Sequence, residues 1–303
     1  MVVRSGASKL GVRLAHAVVQ FMNRNIARKI EIRQCTTLAE YEKCVGLEHA
    51  IWGEDIAVPS AVFVVANHTG GQVIGAFEAA ESRDTSNAPK MVGFCLGLVG
   101  AHTGGAKDGS PNSGQRVFIH SHMTAVLSEY RNRGVGRGLK LFQRQDALKR
   151  CIDLIEWTFD PLELKNAHFN LVRLGAIARC ILPDFYGVTG SPLHGGLPTD
   201  RLVAEWWLDS ERVQSILADN PIPSRGPVQH ISLPANLADI KNDRKAATQI
   251  QAAAREQFQK CFAKGYVVTG IETRGASTNY LLEPGLGVAG LQLPPLAEDS
   301  RQA

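Results

Sequence analysis

Residues 123–150, MTAVLSEYRNRGVGRGLKLFQRQDALKR, limit most sharply what this chain can fold into. An apolar strand end runs into a polar, glycine-rich turn, and the turn runs into a long amphipathic segment. Gly134, Gly136 and Gly138 stand at alternate positions among arginines. Such a turn exposes backbone N–H groups at a helix start, where unsatisfied donors and the helix dipole favour an anion such as phosphate. A phosphate-bearing cofactor or substrate is the expected ligand. Beyond the turn, Leu141, Phe142, Leu148 and Ile152 fall on one side of the predicted helix, with Arg144, Asp146 and Lys149 largely elsewhere.

The flanking sequence supplies the frame. Residues 29–35 alternate apolar and polar positions and read as a strand. Thr37 with Glu40 three residues later is a capping-box pattern, predicting a helix to about Trp52. Residues 61–66 (AVFVVA) and 73–79 (VIGAFEA) read as strands joined by the turn HTGGQ. Residues 91–99 read as a further strand, and 116–126 as the fourth strand, which delivers the chain to the glycine turn. The turn-rich segment 100–115 reads as a mobile lip or an insertion. After the predicted crossover helix come a fifth strand at 154–159, parallel to the fourth, and a helix at 164–174 ending on Gly175. Strands follow near 176–182 and 202–208. Pro221, Pro223 and Pro227 mark a linker-like passage. Residues 235–264 then read as a long helix, 266–271 and 280–282 as short strands, and 284–303 as a loosely held tail.

The bulk properties exclude several function classes. A length of 303 residues with a formal charge of +4 suits one large or two small domains and makes no electrostatic case for nucleic acid. No apolar run approaches the ~18–20 residues of a membrane span. The six cysteines contain no CxxC pair, which argues against zinc or thioredoxin-type chemistry and predicts reduced thiols in a cytoplasmic protein. Residues 1–29 carry six Lys or Arg and no Asp or Glu, and read as a basic N-terminal extension. A mitochondrial presequence, a basic surface helix and an upstream extension before Met22 all fit that composition.

The turn itself fits neither common nucleotide fingerprint. A Rossmann turn sets its first glycine directly after the strand, whereas here residues 128–133 intervene and no second strand ends on an acidic residue about 20 positions on. The GK[ST] of a P-loop is missing. Arg131-Asn132-Arg133-Gly134-Val135-Gly136 instead resembles the acyl-CoA signature [Q/R]-x-x-G-x-[G/A] of the GNAT superfamily of N-acyltransferases, and the element order around it is similar. The resemblance covers about 30–210 and leaves 211–303 as a C-terminal extension of helix, strands and tail. It implies an α/β (α+β) fold whose mixed, mainly antiparallel sheet is splayed between its fourth and fifth strands.

The resemblance also implies a division of labour. The CoA pyrophosphate would lie on the amides of residues 133–138, with Arg131, Arg133 and Arg137 adding charge. Thr124, Ala125 and Val126 would offer backbone to the pantetheine arm, Asn166 would bond backbone or cofactor, and the thioester would sit near 157–160. Family members commonly use a tyrosine four residues before the glycine matching Gly175 to reprotonate the thiolate. Leu171 stands there, and Tyr186 is the nearest replacement. His120 and His122 alternate on the fourth strand and share a face, which suits His122 to the role of base. Glu48 and Glu78 are carboxylate candidates. Trp52 reads as an apolar anchor, and His194 as an edge of the acceptor site. No third ligand joins the histidines, so no metal is expected.

The implied activity is transfer of an acyl group, most often acetyl, from acetyl-CoA or another acyl-CoA to a small-molecule amine or amino acid by direct attack. Succinyl or larger acyl transfer to amino acids is one alternative, and a non-catalytic CoA-binding module is another. No membrane or nucleic-acid partner is expected, and the reading admits a homodimer.

Overall fold

The computed structural model describes residues 30–53, 57–78, 89–103, 115–187, 197–220, 223, 226–240 and 243–285. The basic extension 1–29, His194, most of the expected lip and all but the first residues of the tail lie outside them. The elements are β1 (Ile30–Gln34), α1 (Leu38–Trp52), α2 (Ser60–His68), β2 (Gln72–Glu78), β3 (Met91–Thr103), β4 (Gln115–Val126) and α3 (Val135–Lys149). They continue with β5 (Leu154–Phe159), α4 (Leu164–His168, extended by a π turn over Phe169–Arg173), β6 (Ile177–Leu182), β7 (Arg201–Trp207) and α5 (Glu211–Leu217). Last come β8 (Gln229–Pro234), α6 (Arg244–Ala263), β9 (Tyr266–Arg274) and β10 (Ser277–Pro284).

Ten strands form one sheet in the order β1-β2-β3-β4-β5-β7-β6-β9-β10-β8. β4 with β5 is parallel and the other pairings are antiparallel. This is the mixed sheet that the resemblance implied. The parallel pair is short: only Ile119 with Ile155 and His120 with Glu156 are in register, and beyond them the strands part.

Three of the buried clusters matter most for the site. On one face, α1 and α2 bury Tyr41, Cys44, Leu47 and Phe63 against Phe77, Phe94 and Leu96. On the other, α3 packs Val135 and Leu139 against Ile74, Val92 and Cys95. The β5–β10 half closes over Trp157, Leu171, Trp206, Phe258 and Tyr280. Each large apolar side chain so buried contributes about 1.5–3 kcal/mol. The capping box is present: Thr37 Oγ1 accepts from the Glu40 N–H, and the Glu40 carboxylate accepts from the Thr37 N–H. Residues after 210 continue the same sheet, since β9 pairs with β6 at Val268–Ala178.

Three expectations are corrected. Residues 61–66 form α2, not a strand. Phe63 and Ala66 are buried while Val64 and Val65 are exposed, a helical rather than an alternating period. The glycine pair after it is therefore a helix end, not a hairpin. The Gly71 N–H closes on Ala66 O at 2.7 Å, where an added Cβ would strike the Gly97 and Ala66 carbonyls. The proline-rich passage is flanked by two elements not expected from the sequence: β8 follows it and pairs with β10, and α5 precedes it, capped by the Ser210 side chain. The segment 100–115 contributes its ends to the β3–β4 ladder, in which His102 faces Arg116.

Buried Arg212 on α5 ties this extension to the rest. Its guanidinium donates to Gly175 O (3.1 Å), Leu171 O (3.4 Å) and Thr269 O, joining α5 to the end of α4 and to β9. Burial lowers its pKa to about 10, which leaves it a cation at neutral pH. Arg212→Met removes the donors from three carbonyls. The expected loss is about 2–3 kcal/mol in urea unfolding, whereas a loss under about 0.5 kcal/mol would mark the contacts as incidental.

Candidate active site

The glycine turn is built to leave a helix start open. Asn132 (φ 59°) and Gly134 (φ 82°) take left-handed backbone, and α3 begins at Val135 with no side-chain cap. The Gly138 N–H bonds Gly134 O at 2.9 Å. The N–H groups of residues 135–137 precede it and have no acceptor within the helix by position. Tyr130 anchors the turn from below. Its hydroxyl donates to Glu78 Oε2 (3.0 Å), and Arg133 stands over its ring at 5.8 Å. Glu78 thus helps to hold the turn. Arg131 Nε donates to Val126 O (3.1 Å). The Arg137 pKa is lowered, first by burial and then by the nearby Arg173 cation.

The three glycines differ in purpose. Gly134 is required by its backbone, since a Cβ there would meet nothing within 4 Å. A Cβ on Gly136 would meet only Val126 Cγ2, at 3.8 Å. At Gly138 it would fall 2.5 Å from Ile32 Cδ1, so this glycine lets α3 lie close on β1. The Gly138 N–H is already bonded, so the open amides of the helix start are those ahead of it.

β4 leads into this turn with one edge uncovered. The Leu127 N–H reaches Val92 O (3.0 Å), and the Ala125 carbonyl lies against Gly93, so both residues turn their backbone toward β3. Antiparallel alternation then turns Thr124 and Val126 toward the side that β5 has left. Ala125, expected to join them, instead pairs with Phe94 and buries its side chain in the α1–α2 core. Asn166 is exposed on α4, beyond the end of β5.

The opposite face carries the titratable groups. Leu96 pairs with Met123 and Gly97 with Ser121, so His122 is the extra residue of a β-bulge. The bulge brings the His122 ring to 6.1 Å from that of His120, on the α1–α2 side of the sheet. Burial, then His122, then Lys140 push the His120 pKa down to about 4, and burial lowers His122 as well. Both imidazoles are neutral at neutral pH. Glu156 stands beside His120, and His102 Nε2 holds its carboxylate at 3.0 and 3.1 Å while stacking on Phe118. Burial raises the Glu156 pKa despite that partner. Tyr186 reaches Thr158 Oγ1 on β5 at 2.9 Å. Glu48 lies on the buried stripe of α1 with Tyr41, Cys44 and Leu47. The Val58 N–H donates to its Oε2 at 2.7 Å, and Oε1 has no hydrogen-bond partner among the described residues.

Glu156 with His102, and Lys140 on α3, were not singled out from the sequence. The available signal was an ionisable residue within an apolar run: LIEWTF for Glu156 and LKLF for Lys140. Leu171, where the resemblance would have a tyrosine, is fully buried in the core. Among the described residues no group of three His, Cys, Asp or Glu is placed to hold a metal ion.

No family model and no curated protein sequence matches this chain. Solved structures do resemble it. Arabidopsis thaliana NAA60 in complex with acetyl-CoA is 13% identical with a TM-score of 0.46, over 59% of this chain and 99% of that one. The ribosomal-protein-S18-alanine N-acetyltransferase of Escherichia coli is 14% identical with a TM-score of 0.41, over 58% and 92%. Ard1 of Thermoplasma volcanium is 13% identical with a TM-score of 0.42, over 58% and 95%.

Glu48 gives a pH signature. Burial raises its pKa from 4.5 to about 7, partly offset by the Val58 hydrogen bond. The folded protein then keeps a proton that the unfolded chain loses, so its stabilising share is full below 4.5 and is lost as pH rises to about 7. Wild type should lose more stability than Glu48→Gln between about pH 5 and 8 in denaturant titrations. Equal pH dependence in the two proteins would contradict this assignment.

Proposed function

We propose that this protein is an acyl-CoA-dependent N-acyltransferase of the GNAT type, moving an acyl group, acetyl by preference, to an amine by direct attack. One observation carries the reading: the unfilled amides that open α3 adjoin the uncovered edge of β4 where β5 has turned away. The first feature suits a pyrophosphate. The second suits an extended, amide-bearing arm that pairs as an added strand. An arm laid along β4 from the glycine turn brings its thioester to the point where the two strands rejoin.

The chain's own groups then divide the work. Residues 134–137 and the surrounding arginines hold the phosphates. Thr124 and Val126 orient the arm. The face bearing His120, His122, Glu156 and Tyr186 receives a small-molecule amine or amino acid. His122, held neutral by burial, would accept the proton that the amine loses.

Gly136→Glu tests the phosphate site without straining the backbone. It should weaken CoA binding about tenfold or more by calorimetry, while Gly136→Ala stays near wild type. Equal affinity in all three proteins would place the site elsewhere. Free thiol release from acetyl-CoA with an amine panel tests turnover. A preference for succinyl-CoA with amino acids would make the protein an amino-acid acyltransferase. Binding of acetyl-, succinyl- and longer acyl-CoAs with no thiol release would make it a CoA-binding module.

A further inference from the structure

Lys140 lies one turn into α3 and is buried, with 4% of its surface exposed. Its ammonium donates to Ser121 Oγ (2.6 Å) and Gln143 Oε1 (3.4 Å) and stands 4.1 Å from the Trp157 ring centroid. The placement of those partners is specific. His120 and Glu156 are the last in-register pair of β4 and β5, and Ser121 and Trp157 are the next residue on each strand. Lys140 therefore occupies the vertex at which the sheet opens, reached from the α3 side. Among the described residues no carboxylate pairs with it. Cys95 on β3 is the titratable group beside it on this face, and His120 on β4 feels its charge from the other face of the sheet.

A buried ammonium without a counter-ion costs several kcal/mol, more than an apolar side chain of like volume would. Nothing in the packing of α3 on the sheet requires that cost. The charge makes sense if an anion forms at the vertex during the reaction. From Val126, beside the glycine turn, to Ser121 is five residues including the His122 bulge, matched by Gly93 to Gly97 on β3, or about 13 Å of strand. An extended pantetheine arm spans that length from its phosphates to its sulfur.

We infer that Lys140 is the proton donor to the leaving thiolate of CoA, taking the part for which Leu171 has no group. The inference rests on the acyl-CoA reading above. In the step, the amine nitrogen bonds to the thioester carbonyl carbon, and the C–S bond breaks with its electron pair going to sulfur. Sulfur takes a proton from Lys140 Nζ, and water restores that proton. The proton of the amine leaves on the opposite face. Burial lowers the Lys140 pKa to about 8, which keeps the group cationic at neutral pH yet a better acid than a solvated lysine. Tyr186, hydrogen-bonded to Thr158 on the acceptor side, is left to contact the amine.

The test needs no acceptor. Free CoA is bound to the full chain, and thiolate formation is followed with pH by ultraviolet absorbance, as the difference from desulfo-CoA. The bound thiol should titrate about one unit or more below free CoA in wild type, because a cation within reach favours the thiolate. The shift should vanish in Lys140→Met and Lys140→Gln while both variants still bind CoA. Binding to wild type with an unshifted thiol overturns the inference alone, whether or not either variant folds. A shift that persists in the variants also overturns it. No binding of CoA to wild type overturns both the inference and the reading beneath it.

Discussion

The structure turns on a ladder that stops. β4 and β5 share two in-register pairs and then separate, in the middle of a ten-strand sheet. Backbone donors and acceptors left open inside a protein are costly, so the opening persists only because its surroundings enforce it. On one side β4 is committed to β3 along its whole length, with the bulge at His122 adding twist. On the other, β5 is committed to β7 through six register pairs. α3 crosses beneath the opening and places Lys140 between the first two unpaired residues. An opening enforced from three directions is what the proposed binding of an extended ligand would use.

The same opening sorts charge. Cations collect on the α3 side, where Arg131, Arg133, Arg137, Arg173 and Lys140 surround the path from glycine turn to vertex. On the other face, Glu48 lies on α1, the His120 and His122 imidazoles are neutral, and Glu156 stands beside His120. Burial is the leading cause of every shift cited for these last four. A cofactor rich in negative charge and an amine that must surrender a proton would each meet the environment that suits it, across one sheet.

Features set by local backbone chemistry were legible in the sequence. The glycine turn, the Thr37–Glu40 capping box and Gly175 after α4 all depend on a few neighbouring residues. The run AVFVVA was misread because six β-branched and apolar residues fit either a strand or a buried helix. Only the burial of Phe63 and Ala66 against β3, a tertiary fact, decides it. Strand β8 was hidden because its reason to form is its partner β10, some 45 residues later. The site was legible at its phosphate end, where a motif exists. It was obscure at its chemical end. Lys140 and Glu156 look like ordinary charges in the sequence, and gain their meaning from the one place where two strands part.

The central claim is that CoA lies along the open edge of β4 with its phosphates on the start of α3. Backbone amide NMR during titration with CoA tests it most directly. The account predicts shifts concentrated at Thr124, Val126 and residues 134–137, with Ala125 and Gly138 moving less because their N–H groups are already bonded. Saturable binding of CoA that leaves those amides unmoved, while others far from the β4–β5 opening shift, would contradict it.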